Sequence, residues 1–279
     1  MAFGNKPQAS AAVKEEEGSE LGLDELFTPA TELETIPRLT LGLQGLAKVG
    51  KSHFCLTVAE GTEGPVYIID TEGSIKLNLI HFDSEIRSRV YVAEVLQFAG
   101  LANNKVNLVQ SLTKLKKSIL AVTEKAIAEG PEVKGTLIVD SATDIWDWLQ
   151  VWLEEAANVK RTKSGDMPRF EWGKANEQYA IIMYMLLRTN WNIILTFRSK
   201  KAVSNEGVDL GWNIPRWQKN TDYWVDLIAE LKIDDEGNRL MAFTGGRYGE
   251  NLPSLPDPTF TKLIEHLTKE TGVGCQSSL

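Results

Sequence analysis

Residues 45–52 read Gly45-Leu46-Ala47-Lys48-Val49-Gly50-Lys51-Ser52. This stretch matches the pattern G-x-x-x-x-G-K-[ST] without a mismatch. In loops of this pattern the glycines let backbone N–H groups turn towards phosphate oxygens, the lysine reaches the β- and γ-phosphates, and the hydroxyl binds Mg²⁺. His53 follows and opens a segment that predicts a helix, whose N-terminal dipole favours an anion. We therefore predict that residues 45–53 bind the phosphates of a nucleotide, with Lys51 acting in catalysis and Ser52 binding the metal.

Strand and helix patterns alternate on both sides of this loop. Helical spacing of apolar residues occurs at residues 108–126 and 172–186. Short apolar runs typical of buried strands occur at residues 39–44, 66–70, 90–92, 136–140 and 192–197. The alternation predicts an α/β fold with a mainly parallel central sheet flanked by helices. Residues 226–233 and 239–243 predict a C-terminal antiparallel hairpin, and a last helix is predicted at residues 259–269.

The acidic charge of the chain lies mostly in its N-terminal segment. The formal net charge is −8, and residues 1–36 contain two lysines and eight acidic residues. We interpret residues 1–21 as a disordered acidic tail, residues 22–38 as a linker or oligomerisation segment, and residues 272–279 as a loose C-terminal tail. Residues 39–271 then form the nucleotide-binding domain, whose small net charge neither excludes nor favours nucleic-acid binding.

Composition excludes several classes of protein. Two cysteines and three isolated histidines provide neither a disulfide scaffold nor a cluster of metal ligands. The N-terminus has no apolar run of the signal-peptide type, and no stretch approaches the length of a membrane span. We therefore expect a soluble cytoplasmic protein.

Two of the predicted strands end in acidic residues. Residues 136–140 end in Asp140, which is predicted to bind Mg²⁺ through a water molecule or to orient Ser52. Residues 66–70 are followed by Thr71, Glu72 and Gly73. A base that polarises the attacking water must lie near the γ-phosphate, at the tip of a neighbouring strand, and Glu72 is the candidate. Alternatively, Asp140 only caps the end of its strand, and Glu72 is only a solvated carboxylate in a turn.

The identity of the nucleotide follows from a missing motif. Residues 70–73 also fit the D-x-x-G pattern of GTPases. However, no N-K-x-D guanine motif occurs, because residues 104–107 lack the aspartate. We therefore predict that the nucleotide is ATP, bound with Mg²⁺ and hydrolysed.

These features together resemble the RecA-like ATPases, and most closely the phage-encoded RecA-like AAA proteins that include single-strand annealing ATPases. The resemblance is carried by the phosphate loop, residues 70–73, residues 138–141, and residues 171–174 leading into residues 192–198. It implies a RecA-like P-loop NTPase fold over residues 39–271, a homo-oligomer, and ATP-dependent recombination or strand annealing on DNA. A phage-encoded protein of this type would act in the host cytoplasm.

The resemblance also implies roles for individual residues. The glutamate that follows the second strand is catalytic in the RecA-like fold, which supports Glu72. The strand after the Asp140 strand ends in a γ-phosphate sensor, and Thr196 and Arg198 occupy that region here. A neighbouring subunit commonly completes the site with a cation, and Arg247 in residues 245–249 matches it, although the usual K-x-K or K-x-R pair is missing. Alternatively, Arg247 is a solvated arginine in a glycine-rich turn.

Two segments correspond to the DNA-binding loops of RecA-like recombinases. They are residues 160–165 and residues 199–220, and their predicted DNA contacts are Lys160, Arg161, Lys163, Lys200, Lys201, Trp212, Arg216 and Trp217. Basic groups beside aromatic rings suit single-stranded DNA, because phosphates take the charge and bases stack on the rings. The alternatives are that the charges are merely solvated and that Trp212 or Trp217 packs on the core.

Other functions remain open at this point. A P-loop small-molecule kinase would need an arginine-rich lid, which the sequence does not show. A nucleotide-switched assembly protein would have negligible ATP turnover. The segment Phe27-Thr28-Pro29-Ala30 resembles the Phe-x-x-Ala motif that links the subunits of archaeal and eukaryotic recombinases, although Phe27 could instead fold back on its own domain.

Overall fold

Strands and helices alternate along the chain in the order that the apolar runs predict. The computed structural model describes residue 29 and residues 38–100, 105–165, 167–204, 206–248 and 252–272. The elements in chain order are β1 (Thr40–Gly45), α1 (Lys51–Gly61), β2 (Val66–Asp70), α2 (Ile75–Leu79), α3 (Ser84–Ser88), β3 (Val90–Glu94), α4 (Leu108–Glu129), β4 (Thr136–Asp140), α5 (Thr143–Glu155), α6 (Trp172–Leu187), β5 (Asn192–Val203), β6 (Asp209–Pro215), β7 (Leu227–Ile233), β8 (Arg239–Gly246), β9 (Leu255–Pro256) and α7 (Phe260–Thr271). The predicted acidic tail, nearly all of the linker including Phe27, and the tail beyond residue 272 lie outside the described residues.

A mostly parallel sheet organises these elements. Within the described residues its strands follow the order β3-β2-β4-β5-β1-β7-β8-β9, and β6 pairs with β5 off this path. The pairs from β3 to β7 are parallel, whereas β7–β8, β8–β9 and β5–β6 are antiparallel. The predicted parallel sheet and C-terminal hairpin are thus confirmed. Because parallel strands end at the same edge of a sheet, the residues that follow β1, β2 and β4 meet there, and we call this the carboxyl edge.

Helices cover both faces of the sheet, each over its own apolar cluster. One cluster joins the sheet to α4, α5 and α6, and the other joins it to α1 and α7. The helix α4 illustrates the cause: its apolar residues at spacings of three and four, from Leu112 to Ala126, are buried as predicted. Asn107 caps this helix by accepting from the N–H of Gln110. Among the described helices, none combines the length and the apolar character that crossing a membrane requires.

The segment predicted as a DNA-binding loop at residues 199–220 is mostly a β-hairpin. The strand β5 continues beyond the predicted end at residue 197 to Val203 and pairs with β6, with Lys200 opposite Ile214. The apolar run does not predict this extension, because Lys200 and Lys201 interrupt it. They lie beyond the buried part of the sheet, where strand pairing no longer requires apolar residues on both faces.

Two glycine-to-alanine substitutions should change stability in opposite directions. A Cβ atom on Gly64 would lie 1.5 Å from the carbonyl O of Lys134, whereas nothing lies within 4 Å of a Cβ atom on Gly173, near the start of α6. We expect Gly64→Ala to lower the free energy of unfolding by about 1–3 kcal/mol or more through the clash. Gly173→Ala should raise it by about 0.5–1 kcal/mol through helix propensity.

Urea denaturation of both variants beside the wild-type protein measures these changes. Equal midpoints for Gly64→Ala and the wild-type protein would contradict the close approach of residues 64 and 134.

Candidate active site

The phosphate loop connects β1 to α1, and its backbone requires the two glycines of the pattern. A Cβ atom on Gly45 would lie 2.6 Å from the carbonyl O of Leu231 and 2.8 Å from Val49. Gly50 has a φ of 105°, in the left-handed region that residues with a side chain rarely adopt. No side chain caps the N-terminus of α1, so the N–H groups of its first turn remain available to an anion. The loop therefore has the backbone geometry that an anion cradle requires, and phosphate binding by it stays a prediction.

Lys51 folds back over this loop. Its Nζ atom donates to the carbonyl O atoms of Gly45 and Leu46, each at 2.8 Å. Burial lowers the pKa of Lys51, and the nearby carboxylates of Asp140 and Glu72 oppose that shift. A phosphate oxygen is a stronger acceptor for an ammonium group than a carbonyl is. The position of Lys51 therefore suits the binding of a phosphate above the loop.

Asp140 accepts a hydrogen bond on each of its carboxylate oxygens. The Ser52 Oγ atom donates to Asp140 Oδ2 at 2.6 Å, and the Thr196 hydroxyl on β5 donates to Asp140 Oδ1. Burial raises the pKa of Asp140, while the two hydroxyl donors lower it. The structure thus brings together Ser52 and Asp140, the two residues predicted to bind the metal.

This group of oxygens fits a magnesium ion. Ser74 adds a third oxygen, because its Oγ atom lies 3.3 Å from Ser52 Oγ. Mg²⁺ prefers oxygen ligands and is usually held by one or two carboxylates together with water and substrate phosphates. Within the described ranges, no group of three or more His, Cys, Asp or Glu side chains could hold a metal by itself. A metal at Ser52 and Asp140 would therefore depend on the nucleotide for further ligands.

Asp70 organises the turn that carries Glu72. Its Oδ1 atom accepts from the N–H groups of Glu72, Gly73 and Ser74 at 3.0, 2.8 and 3.3 Å, and its Oδ2 atom accepts from Ile75 at 3.0 Å. A buried carboxylate with four backbone donors fixes the local chain. Asp70 therefore positions Glu72. The sequence pattern alone does not show that Asp70 has this structural role and not a catalytic one.

Glu72 is engaged by Arg198. The Arg198 Nε atom donates to Glu72 Oε1 at 2.9 Å, and the same guanidinium lies 3.0 Å from Asp144 Oδ1. Burial alone would lower the pKa of Arg198, but Asp144 and Glu72 raise it. The predicted base and the residue in the predicted sensor region therefore form one ion pair, made through Glu72 Oε1.

Asp144 belongs to the site although no sequence pattern selects it. The Thr71 hydroxyl donates to Asp144 Oδ2 at 2.6 Å, and burial raises the pKa of Asp144 while Thr71 and Arg198 lower it. An acidic residue in the first turn of a helix is common, because it interacts favourably with the helix dipole. Only the tertiary contacts with Thr71 and Arg198 separate Asp144 from such ordinary residues.

These groups face a single cleft on the carboxyl edge. Its volume is about 860 Å³, and its lining includes the phosphate loop together with Glu72, Asp140 and Arg198. This volume falls within the range of pockets that bind small molecules, about 300–1,000 Å³. Arg239, at the start of β8, also lines the cleft, and sequence reasoning missed it because a charged residue next to a hairpin turn is ordinarily solvated.

Arg247 lies at the opposite edge of the sheet. The strand β8 starts near the carboxyl edge and runs antiparallel to β7, so it ends at the edge of the sheet where β1 starts. The Arg247 guanidinium is 2.8 Å from Asp226 Oδ1, and its side chain is 73% exposed. Arg247 therefore does not reach the cleft of its own chain, and its action on a neighbouring subunit stays a prediction.

The residues predicted to contact DNA differ in their surroundings. Lys160, Lys163 and Lys200 are exposed, as is Trp212. Lys201 pairs with Asp209 at 2.6 Å within the β5–β6 hairpin. Exposure leaves these side chains accessible to a partner, although exposure alone does not identify one.

Trp217 packs on the core instead of facing solvent. Its ring meets the ring of the buried Phe197 edge-on, with centroids 5.0 Å apart. Edge-to-face contact is a favourable arrangement for packed aromatic rings. Trp217 therefore packs on the core, as the alternative to DNA contact predicts, whereas Trp212 is exposed.

The helix α5 connects the two basic segments. Arg216, after β6, pairs with Asp147 at 2.7 Å, and Arg161 pairs with Glu154. Asp147 and Glu154 are seven residues apart, which places them on the same face of α5, about 10 Å from each other along its axis. Residues 160–165 and the β5–β6 hairpin therefore border one face of the same helix.

We expect two substitutions to separate nucleotide binding from hydrolysis. Lys51→Ala should abolish ATP binding or hydrolysis, because the phosphates lose their principal cation. Glu72→Gln should still bind ATP, whereas its rate of phosphate release should fall by about 10²-fold or more, the scale of a positioned base.

Glu94→Gln is the matched control. Glu94 ends the neighbouring strand β3 opposite Asp70 and pairs with Lys76, away from the lining of the cleft. It should hydrolyse ATP at the wild-type rate. Wild-type hydrolysis by Glu72→Gln would exclude Glu72 as the base.

Solved proteins of similar fold share little sequence with this chain. It is similar to an ATPase from the type III secretion system of pathogenic bacteria, with 14% identity and a TM-score of 0.46, over 71% of this chain and 51% of that one. It is also similar to a solved ATPase domain of another protein, with 13% identity and a TM-score of 0.45, over 78% of this chain and 80% of that one. It thus spans about half the length of the first protein. A search of curated protein sequences finds no match. Residues 38–249 match a family model described as an AAA domain, and the chain therefore belongs to this family of P-loop ATPases.

Proposed function

We propose that this protein is a magnesium-dependent, RecA-like ATPase of the phage type that acts on single-stranded DNA in recombination or strand annealing. One observation supports the link between the two activities more than any other. The strand β5 carries Thr196 and Arg198, which contact Asp140 and Glu72, and then continues directly into the exposed β5–β6 hairpin. One continuous strand therefore joins the residues around the nucleotide site to the hairpin, and we expect nucleotide binding to affect the hairpin through it.

The groups around the cleft suit hydrolysis of ATP. Mg²⁺, held by Ser52 and Asp140, would neutralise charge on the β- and γ-phosphates. Lys51 binds the phosphate oxygens, and Glu72 accepts the proton of the attacking water. Both contacts from Arg198 are to Glu72 Oε1, which leaves the second carboxylate oxygen to accept that proton. The γ-phosphate would offer Arg198 a competing anion, and an Arg198 that moved to it would leave the whole Glu72 carboxylate available.

The hairpin offers the groups that single-stranded DNA requires. Leu210, Trp212 and Ile214 occupy alternate positions of β6 and are exposed, so they line one face of the strand. Lys200 stands opposite Ile214 in the register and therefore belongs to the same face. An aromatic ring on which a base can stack, beside a cation for a phosphate, is the usual arrangement in proteins that bind single strands.

A nucleotide-switched assembly protein with negligible turnover is the second candidate. The ion pair between Glu72 and Arg198 favours it, because the pair occupies one oxygen of the carboxylate proposed as the base. ATPase activity measured with and without single-stranded DNA separates the two functions. Hydrolysis stimulated by DNA supports the first, and tight ATP binding without hydrolysis under both conditions supports the second.

Two substitutions in the hairpin should have different effects on DNA binding. Lys200→Ala should reduce the slope of log K against log salt concentration by about 0.7, the value for one phosphate contact on a single strand. Trp212→Ala should weaken binding by about 1–3 kcal/mol through lost stacking, with the slope unchanged. Fluorescence anisotropy with a labelled oligonucleotide at several salt concentrations measures both.

Lys117→Ala serves as the matched control, because Lys117 is an exposed lysine on α4. It should retain the wild-type affinity and slope. If both hairpin variants behave like this control, the DNA site lies elsewhere, and a wild-type protein that binds no DNA would refute the proposed function.

A further inference from the structure

We propose that Arg239 binds the α-phosphate end of the nucleotide from within the same chain, an inference that rests on the proposed ATPase function and deepens it. Arg239 begins β8 and lines the same cleft as the phosphate loop. A Cβ atom on Gly50 would lie 2.9 Å from Arg239 Nε. The guanidinium group therefore lies against the last turn of the loop, where α1 begins.

The sheet order determines which part of the nucleotide Arg239 would meet. Asp140, Glu72 and Arg198 come from strands on one side of β1, whereas β7 and β8 lie on its other side. The γ-phosphate must face the first group of residues, because the base and the metal ligands act on it. The N–H groups at the start of α1 bind the preceding phosphates, so the chain of phosphates runs towards β8 and Arg239.

The charge of Arg239 is available to a ligand. Within the described part of the chain, its guanidinium forms no ion pair with a carboxylate, in contrast to Arg198, Arg216 and Arg247. An unpaired guanidinium beside a phosphate loop provides strong, charge-assisted hydrogen bonds to a phosphate.

The substitution Arg239→Ala tests this contact by calorimetric titration with ADP and with a non-hydrolysable ATP analogue. Because the α-phosphate is common to both nucleotides, we expect both affinities to fall by the same factor, about tenfold or more. Arg239→Lys should recover part of the loss, since the charge remains. The ratio of ADP to GDP affinity should not change, because a phosphate contact does not depend on the base.

Lys232→Ala is the matched control, as Lys232 lies on the neighbouring strand β7, outside the lining of the cleft. It should bind like the wild-type protein. A loss confined to the ATP analogue, a changed ADP to GDP ratio, or unchanged affinities for Arg239→Ala would each overturn the inference while leaving the ATPase function intact. A wild-type protein that binds no nucleotide would overturn both.

Discussion

The buried carboxylate of Asp140 is held by hydroxyl groups from two other parts of the chain. An ionised carboxylate removed from water costs several kcal/mol unless hydrogen bonds satisfy it. Ser52 at the start of α1 and Thr196 on β5 supply those bonds. A shift of β5 by one residue would turn Thr196 to the opposite face of the sheet and leave Asp140 with one donor fewer. The geometry of the metal-binding group therefore depends on the register of the central strands.

Arg198 extends this constraint towards the protein surface. It joins Glu72 and Asp144 on one side, and its carbonyl O accepts from the N–H of Arg216, at the end of the β5–β6 hairpin, at 2.8 Å on the other. A movement of the Arg198 side chain therefore changes the charge around the base, and a movement of its backbone displaces the hairpin. The same residue thus connects chemistry in the cleft to the surface proposed for DNA.

Local patterns predict the parts of the site that depend on neighbours in sequence. The phosphate loop is defined by the backbone needs of Gly45 and Gly50, and strands that end in acidic residues indicate Asp140 and Glu72. The remaining features depend on contacts between distant residues. Asp144 is recognisable as part of the site only through its contacts with Thr71 and Arg198. Arg239 is recognisable only through the register of β8 with β7. The β5–β6 hairpin resembles a loop in the sequence because a strand outside the core no longer shows an apolar pattern.

The strand β8 carries arginines at both ends, Arg239 at its first residue and Arg247 one residue after its last. Eight residues of strand span about 25 Å, so the two cations lie on opposite edges of the sheet. If Arg247 completes the site of a neighbour, the far edge of one copy must face the carboxyl edge of the next. A two-fold symmetric pair makes this contact only if the two copies lie antiparallel, so that each Arg247 reaches the cleft of its partner. If successive copies instead keep the same orientation, the contact is head-to-tail. Such a head-to-tail contact repeats from copy to copy, and it generates a closed ring or an open helical filament according to the rotation between neighbours.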